Sequence, residues 1–131
     1  MGEAEILERA GTDGHPIEVV RAPGRLRVLA GDGTVLADSA DAVILEEAGY
    51  PPVPYFPAGD VAPGRLTATD RVTHCPYKGD ATHYSARMDD GSAVEIAAWS
   101  YDAPIERMGT IAGRLGFYLD NLGHGARIEG L

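Results

Sequence analysis

The chain has one cysteine, Cys75, and one lysine, Lys78. They flank Pro76-Tyr77 in "VTHCPYKGDATHYS". A thiol beside an ammonium suits nucleophilic chemistry, because a nearby cation favours the thiolate. A lone lysine in a pocket can also hold an anion or polarise a carbonyl. Against these stand two plain readings. A free cysteine usually behaves as a small buried hydrophobe, and a lysine before glycine is usually a solvated turn residue. Lys78-Gly79 lacks the rest of the Gly-x-x-x-x-Gly-Lys-Ser/Thr phosphate loop. A structural zinc site needs about four Cys or His ligands. His15, His74, His83 and His124 show no paired spacing, so no metal is expected. No Ser-His-Asp order, G-x-S-x-G, H-E-x-x-H or G-x-G-x-x-G occurs, and no cofactor is expected.

Aromatic residues gather in two further stretches. "GYPPVPYFPAGDV" carries Tyr50, Tyr55 and Phe56 among four prolines between Tyr50 and Pro57. Aromatics on a stiff loop lose little entropy when they form a pocket wall; the alternative is that they plug the end of the fold. "AAWSYDAP" places Trp99 and Tyr101 where a strand should end, and pockets form at strand ends. Asp38, Glu46 and Asp60 are candidate partners for Arg27, Arg71 or Lys78, although most such pairs are solvated and weak. The reading puts Lys78 and Cys75 in catalytic positions. Arg27, Tyr55, Asp60, Tyr77, Tyr84, Trp99 and Tyr101 become the ligand-binding set.

Strands must position these groups. Gly 17 and Pro 9 in 131 residues imply many turns and short elements. "IEVVR" reads as a strand, and "RLRVLAGDGTVLADS" as a hairpin turning at Gly31-Asp32-Gly33. "AVILEE" is too short to separate strand from helix by period. The prolines confine 50–57 to an edge, a polyproline-like segment or a loop. "ATHYSARM", "DDG" and "SAVEIAAW" form a second hairpin, with Thr82, Tyr84, Ala86 and Met88 on one face. A turn or a single helical turn is expected through Ile105–Met108. "GTIAGRLGFYLD" is expected as a last strand, with Gly113 and Gly116 marking a bulge or close approach. "NLGHGARIEGL" reads as a tail or closing strand. Residues 1–16 are weakly patterned and are expected to form a loosely attached extension; "EAEILERA" could make two helical turns before Gly11, Gly14 and Pro16. Residues 17–131 then form a single, mainly β domain of seven or eight strands, an antiparallel sheet closing in a barrel-like or tent-like way.

Charge narrows the partners. The formal net charge is -9, from 11 basic and 20 acidic residues. Nucleic acid and anionic membranes need clustered cations, so neither is expected. One cysteine makes no internal disulfide, and no apolar run reaches the ~20 residues of a membrane span. A cytoplasmic monomer or homodimer is the expectation.

Together, "YPPVPYFPAGDV", "THCPYKGDATHYS", "AAWSYDAP" and "IAGRLGFYLD" resemble the DUF427 family, small bacterial and fungal domains of unknown function sometimes labelled nucleotidyltransferase-like. The resemblance runs from about Arg25 to Asp120. The family pattern falls on Asp38, Tyr55, Pro57, Asp60, Cys75, Pro76, Lys78, Gly79, Tyr84, Trp99, Tyr101, Pro104 and Phe117. His83 stands where the family is often smaller or carries another aromatic. The resemblance implies a compact β domain with these groups converging, and no particular reaction. Nucleotidyl transfer needs paired carboxylates for Mg²⁺ and a Gly-Ser phosphate loop, and that label finds no support here.

The expected function is small-molecule binding, with an anion among the candidate ligands and cofactor-independent catalysis left open. Two alternatives stay open: a peptide- or protein-docking module using loop 50–60, and an enzyme working through the Cys75 thiol.

Overall fold

The computed structural model describes residues 5–131 and holds eleven strands. In chain order these are β1 (Ile6–Thr12), β2 (His15–Arg21), β3 (Leu26–Leu29), β4 (Val35–Ser39), β5 (Val43–Glu47) and β6 (Val53–Tyr55). There follow β7 (Leu66–Cys75), β8 (Gly79–Arg87), β9 (Ala93–Ser100), β10 (Leu115–Phe117) and β11 (Arg127–Glu129). They form three antiparallel sheets, ordered β1-β2-β5-β6, β10-β9-β8-β7 and β11-β3-β4. The sheets do not close into a barrel. At the proline-rich stretch the ladder shrinks to one bridge, in which Phe56 and Leu115 exchange backbone hydrogen bonds of 2.9 and 2.8 Å. Pro54 and Pro57 flank Phe56 and have no N–H to extend it.

Residues 6–12 are a strand, not a helical or loose extension. Ile6 faces Val20 and Thr12 faces His15 in the β1–β2 ladder, and Asp13-Gly14 makes the turn. Residues 1–4 of the expected extension lie outside the described residues. The proline-rich segment supplies the sheet-edge strand β6, an environment that tolerates a missing donor. Ile105–Met108 forms a turn, the Met108 amide donating to the Ile105 carbonyl at 3.1 Å with Arg107 at a φ of 70°, and a 3-10 turn follows at Gly109–Ile111. Two more such turns occur, Ala58–Asp60 and Leu119–Asn121. The strand expected within 109–120 is short, Leu115–Phe117, with Gly113 at a φ of 69° just before it, and the tail adds the closing strand β11. No described helix is long and apolar enough to cross a membrane.

Two hydrophobic clusters fill the interior. Val20 of β2 and Ile44 of β5 join Leu26, Val28, Leu36, Phe56, Ala98 and Phe117 in one. Ile17 and Val19 of β2 and Val43 and Leu45 of β5 join Tyr55, Tyr101, Met108 and Ile111 in the other. Strands β2 and β5 therefore divide the two clusters and bury side chains on both faces. Such strands read as continuous apolar runs without alternation.

Gly116 shows the tightness of this packing. It stands opposite Trp99, and a Cβ placed on it would lie 2.4 Å from the indole ring. The indole therefore rests on bare backbone. Gly116→Ala should push the ring away and cost about 1–3 kcal/mol of stability. The expected result is a lower Tm with a red-shifted emission from the sole tryptophan. Unchanged Tm and emission would contradict this seat for Trp99.

Candidate functional site

The segment from Cys75 to Gly79 is a hairpin turn. Cys75 ends β7, Gly79 starts β8, and the two are register partners. The Lys78 amide donates to the Cys75 carbonyl over 3.2 Å. Gly79 takes a φ of 112°, a conformation that favours glycine. Its missing Cβ also lets the chain after β9 come close: the Ile105 amide donates to the Lys78 carbonyl at 2.9 Å.

This turn aims Lys78 inward, leaving its side chain 11% exposed. A buried ammonium needs a partner, since desolvating it alone is prohibitive. Glu47, at the end of β5, provides one: Lys78 Nζ donates to Glu47 Oε1 at 2.7 Å. The other carboxylate oxygen, Oε2, lies 2.5 Å from His15 Nε2. An ionised carboxylate only accepts, so Nε2 carries the proton. The His15 ring stacks on Tyr77 with centroids 4.0 Å apart. Lys78 Nζ also lies 3.7 Å from Cys75 Sγ, in donor geometry. A carboxylate, an imidazole, an ammonium and a thiol thus meet where two sheets face each other.

Electrostatics follows from burial. Desolvation acts to raise the Glu47 pKa, but the hydrogen bonds from Lys78 and His15, with their charges, outweigh it and hold it below the ordinary value. Tyr101 is pushed up to about 12, first by burial and then by Cys75, Tyr118 and Glu47. Burial raises Tyr55 further, with Tyr101, Glu47 and Cys75 adding to it against the Trp99 hydrogen bond. Both phenols stay protonated at neutral pH and can act as donors.

Six of the nine expected site residues come together. Cys75, Tyr77 and Trp99 pack against the cluster that contains Tyr55 and Tyr101, and Lys78 sits beside Cys75. Trp99 Nε1–H donates to the Tyr55 hydroxyl at 3.2 Å, and the rings meet edge-on. The other three lie elsewhere. Arg27 pairs with Asp38 and Glu129 across β3, β4 and β11. Asp60 accepts from Ser39 Oγ at 2.6 Å. Tyr84 packs on the opposite cluster and lines a different recess with Asp102. Of the aromatics on the proline-rich segment, Tyr55 and Phe56 are buried and Tyr50 is exposed.

Sequence reasoning missed Glu47 and His15. It counted the neighbouring Glu46, with Asp38 and Asp60, among the candidate carboxylate partners, yet successive residues of a strand point to opposite faces. Glu47 shares its face with Val43 and Leu45, both buried, and that alternation was a usable signal once β5 was assigned. His83 was singled out only as a departure from the family pattern. It is buried, with Nε2 2.8 Å from the Thr73 hydroxyl and Nδ1 3.1 Å from the Tyr118 hydroxyl. Burial, with Arg71 adding, lowers its pKa and favours the neutral ring.

A recess of about 240 Å³ opens beside the cluster, and Pro16, Glu47 and Tyr50 form part of its wall. Among the described residues, no group of three or more His, Cys, Asp or Glu is placed to hold a metal ion. The chain matches the family model described as "Domain of unknown function (DUF427)" over residues 18–126. It belongs to the DUF427 family. No curated protein matches the chain. The DUF427 match begins after His15, so the imidazole that completes the cluster comes from outside the matched span.

The lowered pKa of Glu47 has a consequence for stability. A carboxylate with a depressed folded value stabilises above its unfolded pKa and loses that contribution as pH falls through the folded one. The loss should therefore come below about pH 4.5, the ordinary glutamate value. Glu47→Gln should be less stable at pH 7, and its curve should converge on the parent's at lower pH. Denaturant melts at several pH values check this. Parallel curves across the range would contradict it.

Proposed function

We propose that this DUF427 domain binds a small molecule at the junction of β5, the β7–β8 turn and the segment following β9. In this reading Lys78 and Cys75 are the groups that meet the ligand. The observation that carries it is a nearly buried lysine beside the only thiol of the chain, with buried tyrosines close by. A lysine that served only to close a turn would extend into water. Two of its three donors go to Glu47 and Cys75, which leaves one for a ligand oxygen. Lys78 and Glu47 neutralise each other, so the site has little net charge of its own. That favours a carbonyl or carboxylate oxygen over a multiply charged group. Tyr101 and Tyr55 supply apolar wall and protonated hydroxyls. A thiolate formed on Cys75 would find its counter-ion in place.

Iodoacetamide tests this directly, because it is a small carbonyl compound that alkylates thiols. Cys75 in the native protein should react near pH 7 at a rate within about tenfold of the unfolded chain. Lys78→Met should slow the native reaction several-fold, and Lys78→Arg should largely retain it. Far slower native labelling, indifferent to both changes, would overturn the reading and leave Cys75 a packing residue.

A further inference from the structure

A larger recess, about 470 Å³, lies beyond Trp99, with Pro51, Val53, Tyr118, Asp120 and Asn121 in its wall. The Trp99 and Tyr118 rings stand 4.5 Å apart at 45°, forming an aromatic corner. Their polar atoms are already engaged. The indole N–H donates to Tyr55, and the Tyr118 hydroxyl pairs with His83 Nδ1. The Asn121 amide donates to the Ile96 carbonyl at 2.8 Å. Both rings line the recess. The corner is also rigid, since Trp99 rests on Gly116 and Tyr118 stacks on His83 at 9° between planes. Asp120 is the one charged residue in the wall, and it has no hydrogen-bond or ion-pair partner among the described residues.

Two electron-rich rings beside a carboxylate without a protein partner, with no cation in the wall, suit one ligand chemistry. We propose that this recess binds an alkylammonium ion, held by cation–π contact with Trp99 and Tyr118 and by the charge of Asp120. The formal charge of -9 over the whole chain favours the approach of such a cation. This site is separate from Cys75 and Lys78, and its test does not use them.

Trp99 is the only tryptophan, so tryptophan emission reports on this corner, and the Asp120 and Tyr118 variants tie any change to the recess. Tetramethylammonium chloride should change the emission saturably, whereas sodium chloride and tert-butanol, a neutral body of similar size, should not. Asp120→Asn should weaken binding about five- to tenfold. Tyr118→Leu should abolish it, and Tyr118→Phe, which keeps the aromatic face, should retain it. A short peptide carrying trimethyllysine separates the sources: tighter binding than tetramethylammonium assigns the cation to a protein side chain, and equal or weaker binding to a free small molecule. No saturable change, an equal response to tert-butanol, or unchanged affinity in Asp120→Asn would overturn the proposal.

Discussion

The Lys78–Glu47 ion pair ties the two four-stranded sheets together. Glu47 belongs to the sheet of β1, β2, β5 and β6, and Lys78 to the turn joining β7 and β8 in the other. Neither charge tolerates burial alone, and each is satisfied only when the two sheets are in register. His15 extends the link to the β1–β2 hairpin through the second carboxylate oxygen, and its stacking on Tyr77 closes the loop back to the turn. One carboxylate thus fixes three chain segments. It also sets the surroundings of Cys75, whose thiol lies within reach of the same ammonium.

A second constraint lies in the aromatic residues. Tyr55 comes from the sheet-edge strand β6, Trp99 from β9, and their hydrogen bond crosses between sheets as the ion pair does. Trp99 then leads to Tyr118, and Tyr118 to the buried His83. The lysine–thiol cluster and the aromatic recess are therefore opposite ends of one packed series. Gly116 permits it by giving the indole a flat seat, much as Gly79 permits the close approach of Ile105 at the other end. Cys75, Lys78 and Trp99, the rarest residue types of the chain, all sit along this series.

Much of this was legible in the residue order. The β3–β4 and β8–β9 hairpins follow from alternation around glycine turns, and both form. The grouping of Tyr55, Cys75, Lys78, Trp99 and Tyr101 was readable from their scarcity and their motifs. Other parts were not. Strand β7 is the longest in the fold, yet "LTATDRVTHC" is polar because it lies at a sheet edge with most residues exposed. The run "AVILEE" shows no alternation because β5 is buried on both faces, and that hid Glu47 behind Glu46. The β1 strand was obscured by its glycine and its charged residues, Glu8 and Arg9. Arg27, Asp60 and Tyr84 were credible from chemistry alone, but only the three-dimensional pairing reveals their separate partners.

The claim at the centre is that Lys78 and Glu47 act as one unit. A double-mutant cycle in denaturant at pH 7, using Lys78→Met, Glu47→Gln and both together, measures that unit directly. Each single change should cost about 2–3 kcal/mol, because each leaves a buried partner uncompensated. The double change should cost clearly less than their sum, with a coupling of about 1–2 kcal/mol. Strict additivity, with a coupling under about 0.5 kcal/mol, would contradict the account.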